Sequence, residues 1–175
     1  MNISAACKTV SVALATTALS LAGTILLRPE PAQAQAAYGS YVGIGPAFGL
    51  TNGEGNNEER EISGLINARY KFLELPVSLR AQAFIGDGVT LVPTVSYDFP
   101  LNWQTDAYVG VGAAVNFSGN TPIGNKTSFA IQPGIDYALP KSNLVLFGNA
   151  VVAFDAYEQG GGAAASIQGG VGLRF

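Results

Sequence analysis

From residue 38 onward, apolar side chains recur at every second position, the period of an extended strand with one face turned to an apolar environment. Eight such stretches follow one another. The first, over 38–50, sets Val42, Ile44, Pro46 and Phe48 against Tyr41, Gly43, Gly45, Ala47 and Gly49. The second, over 62–72, sets Ile62, Ile66, Tyr70 and Phe72 against Ser63, Asn67, Arg69 and Lys71, with Leu65 as the one apolar exception. The third, over 77–85, opposes Leu79 and Ile85 to Arg80 and Gln82, and the fourth, from Val89, opposes Val95 and Tyr97 to Ser96 and Asp98 until Phe99-Pro100 ends it. The fifth and sixth, over 106–117 and 128–139, oppose Val109, Val111, Ile131 and Ile135 to Asp106, Gly110, Gln132 and Asp136. The seventh, over 144–155, is less regular, because Val145, Phe147 and Val151 share a face with Asn149 and Asp155. The eighth, over 163–175, alternates Ile167, Val171 and Leu173 with Ser166, Gln168 and Arg174.

The connections alternate in kind. Residues 73–76, 100–104 and 140–143 are short and carry proline, whereas 51–60, 86–88, 118–126 and 156–162 are more often longer and richer in Gly, Asn and charge. Eight charged residues lie inside the expected strands, Arg69, Lys71, Arg80, Asp98, Asp106, Asp136, Asp155 and Arg174, and all are assigned to the less apolar face. A charge turned to a bilayer midplane costs about 2–4 kcal/mol, so a membrane imposes this segregation. Aromatic placement agrees. On the apolar face Tyr70, Phe72, Tyr97, Phe99, Tyr137 and Phe175 sit at the short-turn end, and Phe48, Phe117, Phe129 and Phe154 at the long-loop end, with an aliphatic waist between. Two aromatic girdles around an apolar band are the mark of a transmembrane barrel. In a soluble sandwich the second face would be solvated. Here Gly110, Gly112, Ala114, Ala130, Gly134, Gly170 and Gly172 make it small, as a narrow interior requires. Closure would set Gly43, Gly45 and Gly49 beside Gly170 and Gly172, leaving room for Tyr41, Phe84, Tyr108 and Phe147.

The N-terminus has a different grammar. Lys8 precedes the only long uncharged apolar stretch, 10–27, which is followed by Arg28-Pro29-Glu30-Pro31 and by Ala34-Gln35-Ala36. That order predicts a signal peptide over 1–36 and a barrel over 37–175, with Ala32-Gln33-Ala34 as a second usable cleavage site. The single cysteine, Cys7, falls within the leader, so the mature chain has no disulfide. Removing residues 1–36 takes away Lys8, Arg28 and Glu30 and leaves 7 basic against 11 acidic residues, which does not suit nucleic acid. Only 12% of the chain is charged, and 22 glycines without a three-residue period exclude collagen.

The leader, the eight amphipathic stretches and the closing Gly169-Gly170-Val171-Gly172-Leu173-Arg174-Phe175 resemble small bacterial outer-membrane barrels of the OmpA/OmpX-like porin superfamily. The Pro-Ala-Gln-Ala-Gln stretch, 31–35, looks like many cyanobacterial export signals. The resemblance implies an all-β, eight-stranded antiparallel transmembrane β-barrel in the cell outer membrane. It also implies a monomer surrounded by outer-membrane lipid and lipopolysaccharide and delivered by the outer-membrane assembly machinery. Ile167, Gly169, Val171, Leu173 and Phe175 match the alternating signal which that machinery reads. Some OmpA-like chains carry a peptidoglycan-binding domain after the barrel, and that function does not carry over to these residues.

No histidine occurs, so neither a Ser-His-Asp device nor a histidine metal site is available, and no cofactor is expected. Glu58, Glu59 and Glu61 read as a solvated loop base. Lys71, Arg80, Asp98, Asp106, Asp136 and Arg174 are expected to point inward near the short-turn end. Three charges of each sign there favour a paired network that plugs the lumen. The reading is a non-catalytic barrel that supports the envelope or presents loops; the alternative is a narrow porin-like channel for water, ions or small solutes.

Overall fold

The computed structural model describes residues 39–51, 61–72, 74–158 and 161–175; the expected leader, its two cleavage sites, Glu58 and Glu59 lie outside the described residues. Eight strands form in chain order: β1 (Tyr41–Gly49), β2 (Ile62–Lys71), β3 (Val77–Ile85), β4 (Val89–Asn102), β5 (Thr105–Ser118), β6 (Ser128–Ala138), β7 (Leu144–Phe154) and β8 (Ala164–Arg174). Each pairs antiparallel with its sequence neighbours, and β8 pairs with β1, so the sheet is a closed all-β barrel without a free edge.

Register fixes the bore. Neighbours traced from Tyr41 run through Arg69, Arg80, Thr94, Gly112, Ala130, Ala153 and Ala164. Extending the Gly49↔Ser166 pair by two residues returns the trace to β1 at Thr51. A stagger of about ten residues over eight strands tilts them by about 40° and gives a backbone cylinder of about 8 Å radius, which side chains can fill. The interior face gathers most of the polar side chains and many of the small ones, with Val145, Phe147 and Val151 of β7 among its apolar exceptions, while Ile44, Val95, Val111, Ile135, Leu146 and Val171 face outward. The girdles are visible as ring pairs: Tyr70 with Phe72 (5.5 Å) and Tyr97 with Phe99 (4.8 Å) at the short-turn end, and Phe129 with Phe154 (6.1 Å) at the other.

Interior glycines make room for interior rings. A Cβ on Gly43 or Gly170 would lie 2.7 Å from the Phe147 ring, one on Gly172 2.7 Å from Tyr41, and one on Gly134 2.4 Å from Tyr108. Gly43 faces Gly172 across the β1–β8 closure, so the seam between first and last strands is where two large rings, Tyr41 and Phe147, stack at 5.9 Å.

Two local expectations change. Phe99-Pro100 does not end the fourth strand: β4 continues to Asn102 and turns through Trp103-Gln104 into β5. β3 begins at Val77, opposite Tyr97, so Pro100 lies beyond its reach on that side and its missing N–H forfeits no ladder bond there. A register shift between Pro100 and Asn102 absorbs the irregularity. Asp155 is not on the interior face. β7 stops at Phe154, Asp155 takes a left-handed φ of 57°, and its carboxylate meets Lys126 at 2.5 Å in the exposed loop region.

Candidate functional site

The interior is layered. Nearest the short turns, the alternation of β2 to β6 brings six charges together. Arg69, from β2, is the hub: its guanidinium donates to Asp98 of β4 (2.8 Å), Asp106 of β5 (2.9 Å) and Asp136 of β6 (3.0 Å), and its Nε to Ser78 of β3 (3.2 Å). Arg80 donates to Asp136 (2.8 Å) and Asp98 (3.3 Å), and its guanidinium carbon lies 3.2 Å from the centre of the Tyr108 ring. Lys71 holds Asp106 at 2.9 Å. Ser78 makes a very short hydrogen bond to Asp98, Ser96 donates to its other oxygen (3.2 Å), and the Tyr41 hydroxyl donates to Asp136 (2.8 Å).

Three cations therefore meet three carboxylates. Arg69, Arg80, Asp98 and Asp136 are buried, which is tolerable only because each carboxylate receives several charge-assisted bonds. Of the six residues expected to share this end, Lys71, Arg80, Asp98, Asp106 and Asp136 lie in the cluster. Arg174 lines the adjoining mouth, a cavity of about 200 Å³, and donates to the Ser142 carbonyl in the β6–β7 turn. Arg69 was missing from that set. Its signal was present in the sequence, two residues before Lys71 on the same face, and the fold makes it the register neighbour of Arg80.

Above the charges lies an amide layer. Asn149 Oδ1 accepts from Gln82 (3.1 Å) and Gln168 (2.6 Å), Gln168 also donates to Gln82 Oε1 (3.2 Å), and Ser166 donates to Gln168 Oε1 (3.1 Å). Thr94 donates to Gln132 at 2.7 Å. Next comes an apolar layer of Leu65, Phe84, Val92 and Val151 with small alanines, which gives the out-of-pattern Leu65 its place.

At the long-loop end the β5–β6 connection folds inward. Thr121, Pro122, Ile123 and Gly124 are buried, and Ile123 belongs to the apolar cluster. Thr121 and Gly124 exchange backbone hydrogen bonds (3.2 and 2.9 Å), and the Thr121 and Thr90 hydroxyls meet at 3.0 Å. Gly124 has φ +96° and would place a Cβ 2.2 Å from the Ala156 carbonyl oxygen, so this inward turn admits only glycine. The length and the Gly, Asn and charge content of 118–126 mark a loop without marking its inward course. The signal that could have found the plug was Pro122-Ile123, an apolar pair framed by Gly119 and Gly124.

Among the described residues no group of three or more His, Cys, Asp or Glu is placed to hold a metal ion. The geometry defines an eight-stranded transmembrane β-barrel with a filled interior. No protein-family model and no curated protein matches the chain. Solved structures do match its fold. A de novo designed transmembrane β-barrel aligns at TM-score 0.55 and 11% identity, over 78% of this chain and 96% of that one. Neisserial surface protein A aligns at TM-score 0.54 and 16% identity, over 78% and 97%. The attachment invasion locus protein Ail of Yersinia pestis aligns at TM-score 0.51 and 19% identity, over 78% and 97%.

Proposed function

We propose that this chain is a non-catalytic barrel of the outer membrane that supports the envelope or presents its short loops, with a lumen closed to ions. The observation that carries this reading is that the lumen is filled at both ends, by the neutral six-charge layer at one and the buried Ile123 turn at the other. A selective pore carries an excess of one sign at its constriction, and this one is balanced. The surrounding lipid and lipopolysaccharide would contact the outward aliphatic band between the two girdles.

The purified barrel in planar lipid bilayers is expected to give no stable conductance steps, and Asp98→Asn or Asp136→Asn to weaken stability without creating ion preference. Reproducible steps whose selectivity changes on those substitutions would establish the narrow-channel reading instead.

The outward stripe of β8, with Ile167, Gly169, Val171, Leu173 and the following Phe175, is proposed as the segment read by the outer-membrane assembly machinery. Phe175→Asp is expected to reduce the heat-modifiable, membrane-inserted fraction on detergent gels and leave periplasmic material for degradation. Normal assembly of that variant would remove the role.

A further inference from the structure

We propose that the interior binds one structural water molecule between the ionic and amide layers, held by Arg80 Nη1, Asn149 Nδ2 and Asn67 Oδ1. These three atoms are buried and have no protein partner among the described residues, although every other polar atom of the same three side chains is engaged. Their side chains are linked to one another through shared partners. Asn67 is the register partner of Gln82, Gln82 donates to Asn149 Oδ1, and Arg80 stands two residues before Gln82 on the same face of β3. Asn67 and Arg80 also meet around Asp136, the first through the Tyr41 hydroxyl (3.0 and 2.8 Å) and the second directly (2.8 Å).

The amide orientations are set by their neighbours. Tyr41 gives its hydroxyl proton to Asp136, so its oxygen accepts from Asn67, which leaves Asn67 Oδ1 as the open acceptor. Asn149 Oδ1 accepts from two glutamine amides, which leaves Nδ2 as the open donor. Two open donors and one open acceptor then remain on these linked side chains, and one bridging molecule would satisfy all three. An anion would be repelled by Asn67 Oδ1, and a cation by the guanidinium of Arg80 and the amide of Asn149. The set fits a small neutral molecule that both accepts and donates, and a buried water typically makes about three hydrogen bonds. Such a water joins the layers into one hydrogen-bonded body from Lys71 at the mouth to Ser166, ending at the apolar layer. The site is independent of whether the barrel conducts.

The test is a high-resolution crystal structure of the unaltered, refolded barrel, grown with bromide, together with water–protein cross-relaxation NMR. The expected result is one density peak within hydrogen-bond distance of all three atoms, without anomalous signal. Long-lived water contacts to the Asn149 side-chain amide and the Arg80 guanidinium are expected alongside it. An anomalous bromide peak, direct pairing of the three side chains with one another, or absence of long-lived water contacts would each overturn the proposal.

Discussion

Arg69→Met is expected to destabilise the folded barrel by about 3–5 kcal/mol, the range for removing one partner of a buried ion pair. The methionine retains most of the volume, so the loss is electrostatic. Asp98, Asp106 and Asp136 each lose a guanidinium bond, and three carboxylates are left to share Arg80 and Lys71. Urea unfolding of the barrel in lipid vesicles, followed by tryptophan fluorescence and by the gel shift between folded and boiled forms, measures the effect. Adding Asp106→Asn restores the charge balance and is expected to recover part of the loss, because Asp106 is the most exposed of the three carboxylates. A loss below about 1 kcal/mol, the scale of exposed pairs, would mean that the cluster is solvated and not a plug.

Val111→Arg tests the opposite face. Val111 points outward from β5 and pairs with Val95 and Ile131, in the aliphatic band between the girdles. An arginine at the midplane costs about 2–4 kcal/mol, which is expected to block or slow folding into vesicles. Ala114→Ser, three residues along the same strand but on the interior face, is expected to fold normally. Equal folding of the two variants would show that the outer surface of the barrel does not face lipid.

The strands and their faces were legible because burial by lipid imposes a strict two-residue period. Leu65 broke the pattern without breaking the strand, and the structure seats it in the apolar layer. The interior was harder to read, since periodicity says which way a side chain points but not what stands across the bore. Arg69 contacts Asp136 from a strand four places away, a pairing that depends on stagger and curvature. Asp155 was misplaced because alternation does not mark where a strand stops, and a left-handed residue does. The inward turn at Thr121–Gly124 was hidden among loop residues whose composition is polar, where a single Ile carries the burial.

The reach of Arg69 to Asp136 also constrains how the molecule is made. β2 and β6 lie on opposite sides of an eight-membered ring, and in an uncurled sheet their backbones would stand about 19 Å apart, four interstrand spacings. The 3.0 Å contact, and the Tyr41 to Asp136 bond spanning 95 residues of chain, exist only once the ends of the sheet have met. A half-curled intermediate would leave Asp136 without its bonds from Arg69 and Tyr41 on the concave side, a load that hydrocarbon does not accept. Entry into the bilayer and joining of the first strand to the last are therefore expected to be coupled, with water on the concave side until the cylinder shuts.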